Sequence, residues 1–512
     1  MKKIFLIIYK LINYLNKIER LLIFLGIILS FFLIINSFKY FYKEIFSQQI
    51  KHKGILKEGL YQQINTLNPF LAENQSEKTL VNLIYDSLVR PNGMGGYELE
   101  LAKKIVEIDK GLKYEIEIKE AYWSNGERIT AKDVLDSFYY LKTYSNNYYR
   151  YYFENIELEK IDNYKLVFKL PVVDNFFIQK LSYFKIVPSK IWSKYNPENW
   201  KENEDELLKI SSGPFVFNNK YNNIYEFKRN EFYHPLPYLE KILIYVYPNT
   251  KDAYEKIKIK EINSLGGLFP TFVENNLSQE LKIENIIMPR IIAIFFNSQK
   301  VNLEEVKNFK NNLDYNSLES EIINNKYFEI SNSIFSPSIR KIFSLSNKEI
   351  QKNLNSDIKK YNFKITIPDN YLIVKISNYL QKKYGFKVEI KNINELNNSI
   401  IPKKDYEALI YGISYRLMPD LRYLFEENSV FNLTNTTNPE IIKLIQELEI
   451  GKKENFKKTL ENLDTEIDKL PIVFLINPYY IYILPKNLNG FNVKYLNDPS
   501  EKFVKIEEWY LK

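Results

Sequence analysis

The chain has 512 residues, 45% hydrophobic and 26% charged, a globular composition with room for more than one core. It contains no cysteine, which excludes disulfides, thiol nucleophiles, Cys-ligated metal centres and a lipidated N-terminal cysteine, and its two histidines, His52 and His234, leave few routes to a His-dependent hydrolase or zinc enzyme. The net charge of +8 is concentrated at the N-terminus, so the remainder gives no basis for nucleic-acid binding, and the 41 Tyr and 34 Phe accompany abundant Lys, Asn and Ile, a codon bias more than a sign of an aromatic-lined site.

Residues 1–20 carry Lys2, Lys3, Lys10, Lys17 and Arg20 against Glu19 alone. They precede Leu21–Phe38, an uncharged run that as a helix is about 27 Å long, close to the hydrocarbon thickness of a bilayer. The charge asymmetry places residues 1–20 in the cytoplasm, makes 21–38 a transmembrane anchor and puts the rest of the chain outside, with 39–54 as a stalk. A cleaved signal peptide is the rival; the end of the apolar run, Ile34-Ile35-Asn36-Ser37-Phe38, lacks the small residues that cleavage favours.

Beyond the stalk, period-two alternation predicts strands at Gly111–Lys119 and Tyr164–Leu170. Between them, Thr130 as N-cap, Asp133 three residues on, and Val134, Leu135, Phe138 and Leu141 on one face predict a helix over Thr130–Leu141. Strands at Ile224–Lys228 and Ile242–Tyr247 flank a turn at His234–Pro237, where His234 reads as a surface residue. Strand Phe363–Ile367, helix Tyr371–Tyr384 closed by Gly385, and strands Lys387–Ile390 and Ala408–Tyr411 give a helix-covered sheet. Helices Pro439–Leu448 and Glu454–Leu463 and strand Pro471–Ile476 follow. The glycines at 93–96 sit in a hairpin context and no Gly-Lys-Ser/Thr phosphate loop occurs.

The order of these elements and their punctuation resembles the extracellular solute-binding proteins of family 5, the dipeptide- and oligopeptide-binding components of ABC importers. The residues that carry the resemblance are EGLYQQINTLNPF (Glu58–Phe70), IYDSLVR (Ile84–Arg90), WSNGERITAKDV (Trp123–Val134), VPSKIW (Val187–Trp192), SSGPFVF (Ser211–Phe217), FKRNEFYHPLPYLEKILI (Phe227–Ile244), IFFNSQK (Ile294–Lys300), DYEALIYGISYRLMPD (Asp405–Asp420) and LPIVFLINP (Leu470–Pro478). The resemblance implies an α/β, two-lobed periplasmic-binding-protein type II fold behind one N-terminal transmembrane helix. Its first lobe would be residues 55–290, with 478–512 returning to it, and its second 291–477, with crossover strands near Arg290–Phe296 and Ile472–Pro478.

It also implies a monomer without catalytic residues, metal or cofactor that captures an oligopeptide or related solute between the lobes and hands it to ABC permease subunits. Ligand-binding positions by this likeness are Asn65 and Thr66 in the opening loop, Gly213, and Tyr411, Ser414, Tyr415, Arg416 and Asp420 at the end of a cleft-facing strand. Turn chemistry and ordinary core packing are the competing readings of these residues. Where peptide-binding relatives place an aspartate that pairs with the ligand's α-ammonium group, this chain has Leu417, so a free amine lacks its partner there, and Arg416 could instead present a fork to a carboxylate or phosphate. The alternatives are a cell-surface adhesion or signalling protein that retains the fold without transport and, third, a glycosidase using paired carboxylates.

Overall fold

The computed structural model describes residues 54–145, 148–268, 277–322, 326–348, 359–415 and 421–512, and, before residue 54, positions 16, 18, 19, 22, 25, 26 and 29–37. Residues 1–53 form one unit and Gly54–Leu511 another. In the first, positions 29–37 are helical and exposed. Among the described residues no helix is long and apolar enough to cross a membrane. The predicted span at 21–38 therefore rests on the sequence alone, several of its residues lying outside those described.

The strands of the second unit are, in chain order, β1 (Ile55–Leu60), β2 (Val89–Pro91), β3 (Tyr97–Leu99), β4 (Ala102–Ile108), β5 (Lys113–Ile118), β6 (Glu157–Lys160) and β7 (Lys165–Lys169). Next come β8 (Phe215–Tyr221), β9 (Ile224–Arg229), β10 (Lys241–Val246), β11 (Ser264–Leu268), β12 (Leu281–Ile286), β13 (Arg290–Phe296) and β14 (Phe328–Ile330). The last are β15 (Lys364–Pro368), β16 (Lys387–Lys391), β17 (Ala408–Ser414), β18 (Ile472–Pro478), β19 (Tyr480–Pro485), β20 (Leu488–Asn489) and β21 (Tyr510–Leu511).

Two mixed sheets dominate. The first has the order β12-β19-β11-β1-β10-β9-β8, with β1 parallel to both β10 and β11. The second has the order β14-β18-β13-β17-β15-β16, with β15 parallel to both β16 and β17. A four-stranded antiparallel sheet, β4-β5-β7-β6, stands beside the first. The chain passes from the first sheet to the second through residues 287–289 and returns through Tyr479.

Strand β13 is almost wholly apolar because both its faces are covered: Ile291, Ala293 and Phe295 enter one core cluster and Ile292, Ile294 and Phe296 another. Helix Tyr371–Tyr384 packs on the second of these faces, and helices Pro439–Ile450 and Phe456–Asp468 on the first.

The local signals in the sequence act as physical chemistry requires. Thr130 and Asp133 form a reciprocal capping box for helix Ala131–Tyr144. In the turn before it, Gly126 takes φ +83° and its N–H donates to Trp123 O at 2.8 Å. Gly385, at φ +81°, ends helix Tyr371–Tyr384. The last helix runs to Asp468 instead of the predicted Leu463. Its polar run hid a buried turn there: Asp464, 5% exposed, is held by Arg340 at 2.7 Å, and Ile467 is fully buried.

The C-terminal segment is tied back to the first sheet by charge. Glu58 on β1 is fully buried, ion-paired with Lys502, and accepts hydrogen bonds from Ser264 of β11 and from Tyr482 Oη of β19 at 3.0 Å.

Candidate functional site at the crossover between the sheets

Strand direction locates the site. In the first sheet the parallel strands β1, β10 and β11 end on one side, where β12 also ends and β19 begins, since Ile286 pairs with Tyr480. In the second sheet β15 and β17 end beside the start of β13, with Ser414 directly opposite Arg290. The carboxyl ends of parallel strands from both sheets thus meet at the two crossover connections, and open α/β sheets bind ligands outside such ends.

The first sheet presents a tyrosine-and-glycine wall there. A side chain at Gly266 would come within 2.2 Å of Tyr480 Oη, and one at Gly267, whose φ is +78°, within 2.3 Å of Tyr61 Oη. The two glycines therefore let both phenols lie flat against β11. Tyr61 donates to Gly267 O at 3.2 Å, whereas the Tyr480 hydroxyl, on a residue 3% exposed, has no hydrogen-bond partner among the described residues. Burial raises the pKa of both phenols, so they remain neutral donors.

Arg290, the first residue of β13, spans the crossover. Its Nε donates to Pro478 O at 2.7 Å and its Nη2 to Tyr479 O at 2.5 Å, clamping the outgoing strand to the returning one. Nη1 stays uncommitted among the described residues, and burial lowers the guanidinium pKa to about 10, opposed by the nearby Tyr480 and Tyr61 phenols.

The residues singled out from the sequence divide into three groups. In the opening loop, the Thr66 hydroxyl and the Leu67 and Asn68 N–H groups all donate to Glu204 Oε1, at 2.5, 2.5 and 3.0 Å. Asn65 gives its N–H to Glu77 Oε1 at 2.8 Å and leaves its side chain exposed. Gly213 is a packing glycine: a Cβ there would lie 2.6 Å from Leu83 O.

On β17, Tyr411 and Ser414 point to opposite faces, as strand alternation demands. Tyr411 donates to Asn397 Oδ1 at 2.7 Å, with burial raising its pKa, while Ser414 is exposed beside Arg290. Tyr415, 2% exposed, donates to Ile334 O and sets its ring edge-on to Phe335. Arg416, Leu417 and Asp420 lie outside the described residues, so only Ser414 among these positions is brought to the crossover. Arg290, Tyr480, Tyr61 and the Gly266–Gly267 pair, which the structure brings to the crossover, were not singled out from the sequence. Their signal was present in a Gly-Gly step inside a strand and in an arginine heading an otherwise apolar one.

Two sheets joined by two crossings, with strand ends converging where the chain crosses, are the arrangement of the periplasmic-binding fold. Residues 96–324 match the model of the bacterial extracellular solute-binding proteins, family 5 Middle. The oligopeptide-binding protein AppA of Bacillus subtilis is 24% identical over 505 residues, covering 90% of this chain and 92% of that protein. Its structure in complex with a nonapeptide superposes with a TM-score of 0.68, at 22% identity over 90% of this chain and 99% of that one. The ABC transporter substrate-binding protein CtaP of Listeria monocytogenes gives a TM-score of 0.74 at 18% identity, covering 90% and 99% of the two chains. NikZ of Campylobacter jejuni, in complex with Ni(L-His), gives 0.67 at 19% identity over 89% and 99%. The match to the family model over residues 96–324 and the likeness to these proteins along almost the whole chain make it similar to family 5 of the bacterial extracellular solute-binding proteins.

Proposed function

We propose that this protein is a membrane-anchored, extracytoplasmic receptor that captures oligopeptides between two lobes, one built on each large sheet, and delivers them to an ABC importer. The convergence of strand carboxyl ends from both sheets on the crossover carries this reading, and the oligopeptide-binding relative that matches along almost the whole chain favours peptide as the solute. Residues 21–38 would anchor the receptor and 39–54 would space it from the bilayer, with the basic residues 1–20 held in the cytoplasm.

Opening and closing would take place at the two short connections, residues 287–289 and Tyr479. The halves also touch away from them. Asn175 Nδ2 donates to Leu448 O at 3.0 Å and Gly451 O at 2.8 Å, Phe176 packs edge-on against Phe456, and Lys453 pairs with Glu107 at 2.7 Å. A ligand that contacts both lobes would stabilise the form in which these contacts are made.

The test is retention of a randomised peptide library by the purified full chain, read by mass spectrometry. Saturable retention supports the reading, and the absence of any retained peptide overturns it. Topology is checked separately: protease added to spheroplasts should digest the chain beyond Lys43 while Met1 remains the N-terminus, and recovery of a soluble chain beginning near Lys39 would replace the anchor with a cleaved signal.

A further inference from the structure

The crossover holds hydrogen-bond donors that bond no described residue. Arg290 commits two of its nitrogens to backbone carbonyls, and no carboxylate stands at ion-pairing distance from it among the described residues. The Tyr480 hydroxyl, beside Gly266, makes no hydrogen bond to a described residue. Ser414, cross-strand from Arg290 and on the same face of the sheet, presents a hydroxyl that bonds no described residue.

A half-buried guanidinium without a counter-charge, beside two hydroxyls that bond no described residue, is a set of donors that a ligand can engage without displacing a bond of the fold. What is missing is an acceptor bearing negative charge. The remaining Arg290 nitrogen, Nη1, can give a charge-assisted hydrogen bond to a carboxylate oxygen, and the neighbouring hydroxyls would donate to further lone pairs of its oxygens.

We propose that Arg290, Tyr480 and Ser414 form a carboxylate receptor at the crossover and that it holds the C-terminal carboxylate of the bound peptide, an assignment that rests on the peptide reading above. Arg290 clamps the two crossover strands at the same time, so seating the carboxylate there reports occupancy directly to the connections about which the lobes would move. The receptor also selects charge without selecting sequence, because every free peptide ends in the same group.

The experiment uses the full chain with three probes: a randomised pentapeptide library as free acids, the same library as C-terminal amides, and succinate as a small carboxylate without a peptide backbone. The wild-type protein should retain acids at least about tenfold over amides, and Arg290→Gln should erase that preference. Arg290→Lys should keep part of it. Tyr480→Phe and Ser414→Ala leave the clamp on Pro478 and Tyr479 intact, and each should narrow the preference by roughly threefold.

Equal retention of acids and amides by the wild type overturns the receptor and leaves the peptide reading standing. If neither library is retained but succinate raises the melting temperature of the wild type and not of Arg290→Gln, the peptide reading fails and the receptor stands for an acidic solute. If no probe binds, both fail. If Arg290→Gln merely unfolds while Tyr480→Phe and Ser414→Ala keep full acid selectivity, the arginine is a structural clamp only and the proposal is overturned.

Discussion

The opening loop after β1 and the crossover lie at the same end of the first sheet and are both rich in polar groups, yet they use them in opposite ways. In the loop, one carboxylate, Glu204, collects a hydroxyl and two backbone N–H groups, and Glu77 collects the N–H groups of Asn65, Glu73 and Asn74. At the crossover, a guanidinium nitrogen and two hydroxyls bond no described residue. Hydrogen bonds completed within the chain stabilise the fold, whereas donors that the fold leaves free can be given to a ligand without breaking a bond of the chain. Polarity alone therefore does not mark a binding residue; what matters is whether the chain already satisfies it.

The committed side of the comparison should show the largest losses. Glu58→Gln leaves the Lys502 ammonium, on a residue 2% exposed, without its carboxylate and should cost about 3–5 kcal/mol of stability by chemical denaturation. Replacing both partners, Glu58→Leu with Lys502→Met, should recover much of that loss; a single variant as stable as the wild type would show that the pair does not tie the C-terminal segment to β1. Glu204→Ala comes next. It leaves the Leu67 and Asn68 N–H groups and the Thr66 hydroxyl without their shared acceptor and should cost roughly 2–3 kcal/mol. Its acid-over-amide selectivity should stay at the wild-type level, and a loss of selectivity with little loss of stability would move the loop to the ligand-binding side.

Asp86 challenges the comparison, since it is a buried carboxyl whose oxygens accept no hydrogen bond from a described residue and whose charged neighbours are Glu100, Lys119, Lys185 and Arg90. It is 2% exposed, and burial pushes its pKa well above the usual carboxylate range, reinforced by Glu100 and opposed by Lys119, Lys185 and Arg90. A carboxyl whose folded pKa is raised contributes its full stability below the unfolded value and loses it as pH rises toward the folded one. The wild type should therefore weaken from pH 4 to pH 8 relative to Asp86→Asn, whose melting temperature should be a few degrees higher at pH 8 and nearly the same at pH 4. A variant less stable at pH 8 would mean that the three cations hold Asp86 ionised and that it belongs with the committed groups.

How much of this was legible in the sequence follows from the range of the forces involved. The helix over 371–384 and its Gly385 stop, the capped helix opening at Thr130 and the strand segments were readable because caps, turns and periodicity act within a few residues. Family motifs in their proper order carried the topology. The placement of the positions expected to bind was legible only in part. Ser414 lies at the crossover, but Thr66 and Tyr415 offered the right chemistry in the right neighbourhood, and nothing near them in sequence shows that Glu204, 138 residues away, or Ile334 O, 81 residues away, already occupies them. Arg290, Tyr61 and Tyr480 come together only through the pairing of strands distant in the chain, and no local pattern encodes that meeting.

The smallest expected effect tests the comparison most directly. A hydroxyl that bonds within the fold contributes about 1 kcal/mol, and its loss is felt whether or not a ligand is present. The Tyr480 hydroxyl has no partner among the described residues, so Tyr480→Phe breaks no bond to them and keeps the ring that packs over Gly266. The unliganded variant should match the wild type within about 0.5 kcal/mol or exceed it slightly in denaturant titrations. Thr66→Val, which removes a hydroxyl bonded to Glu204, should be measurably less stable than the wild type under the same conditions. With saturating free-acid peptide the order should reverse for Tyr480: the ligand-induced rise in melting temperature should be smaller in Tyr480→Phe than in the wild type, because only the liganded protein gave that hydroxyl an acceptor. A Tyr480→Phe protein that loses about 1 kcal/mol without ligand and gains the full ligand-induced rise would place the hydroxyl among the groups that hold the fold, and the difference between the loop and the crossover would disappear.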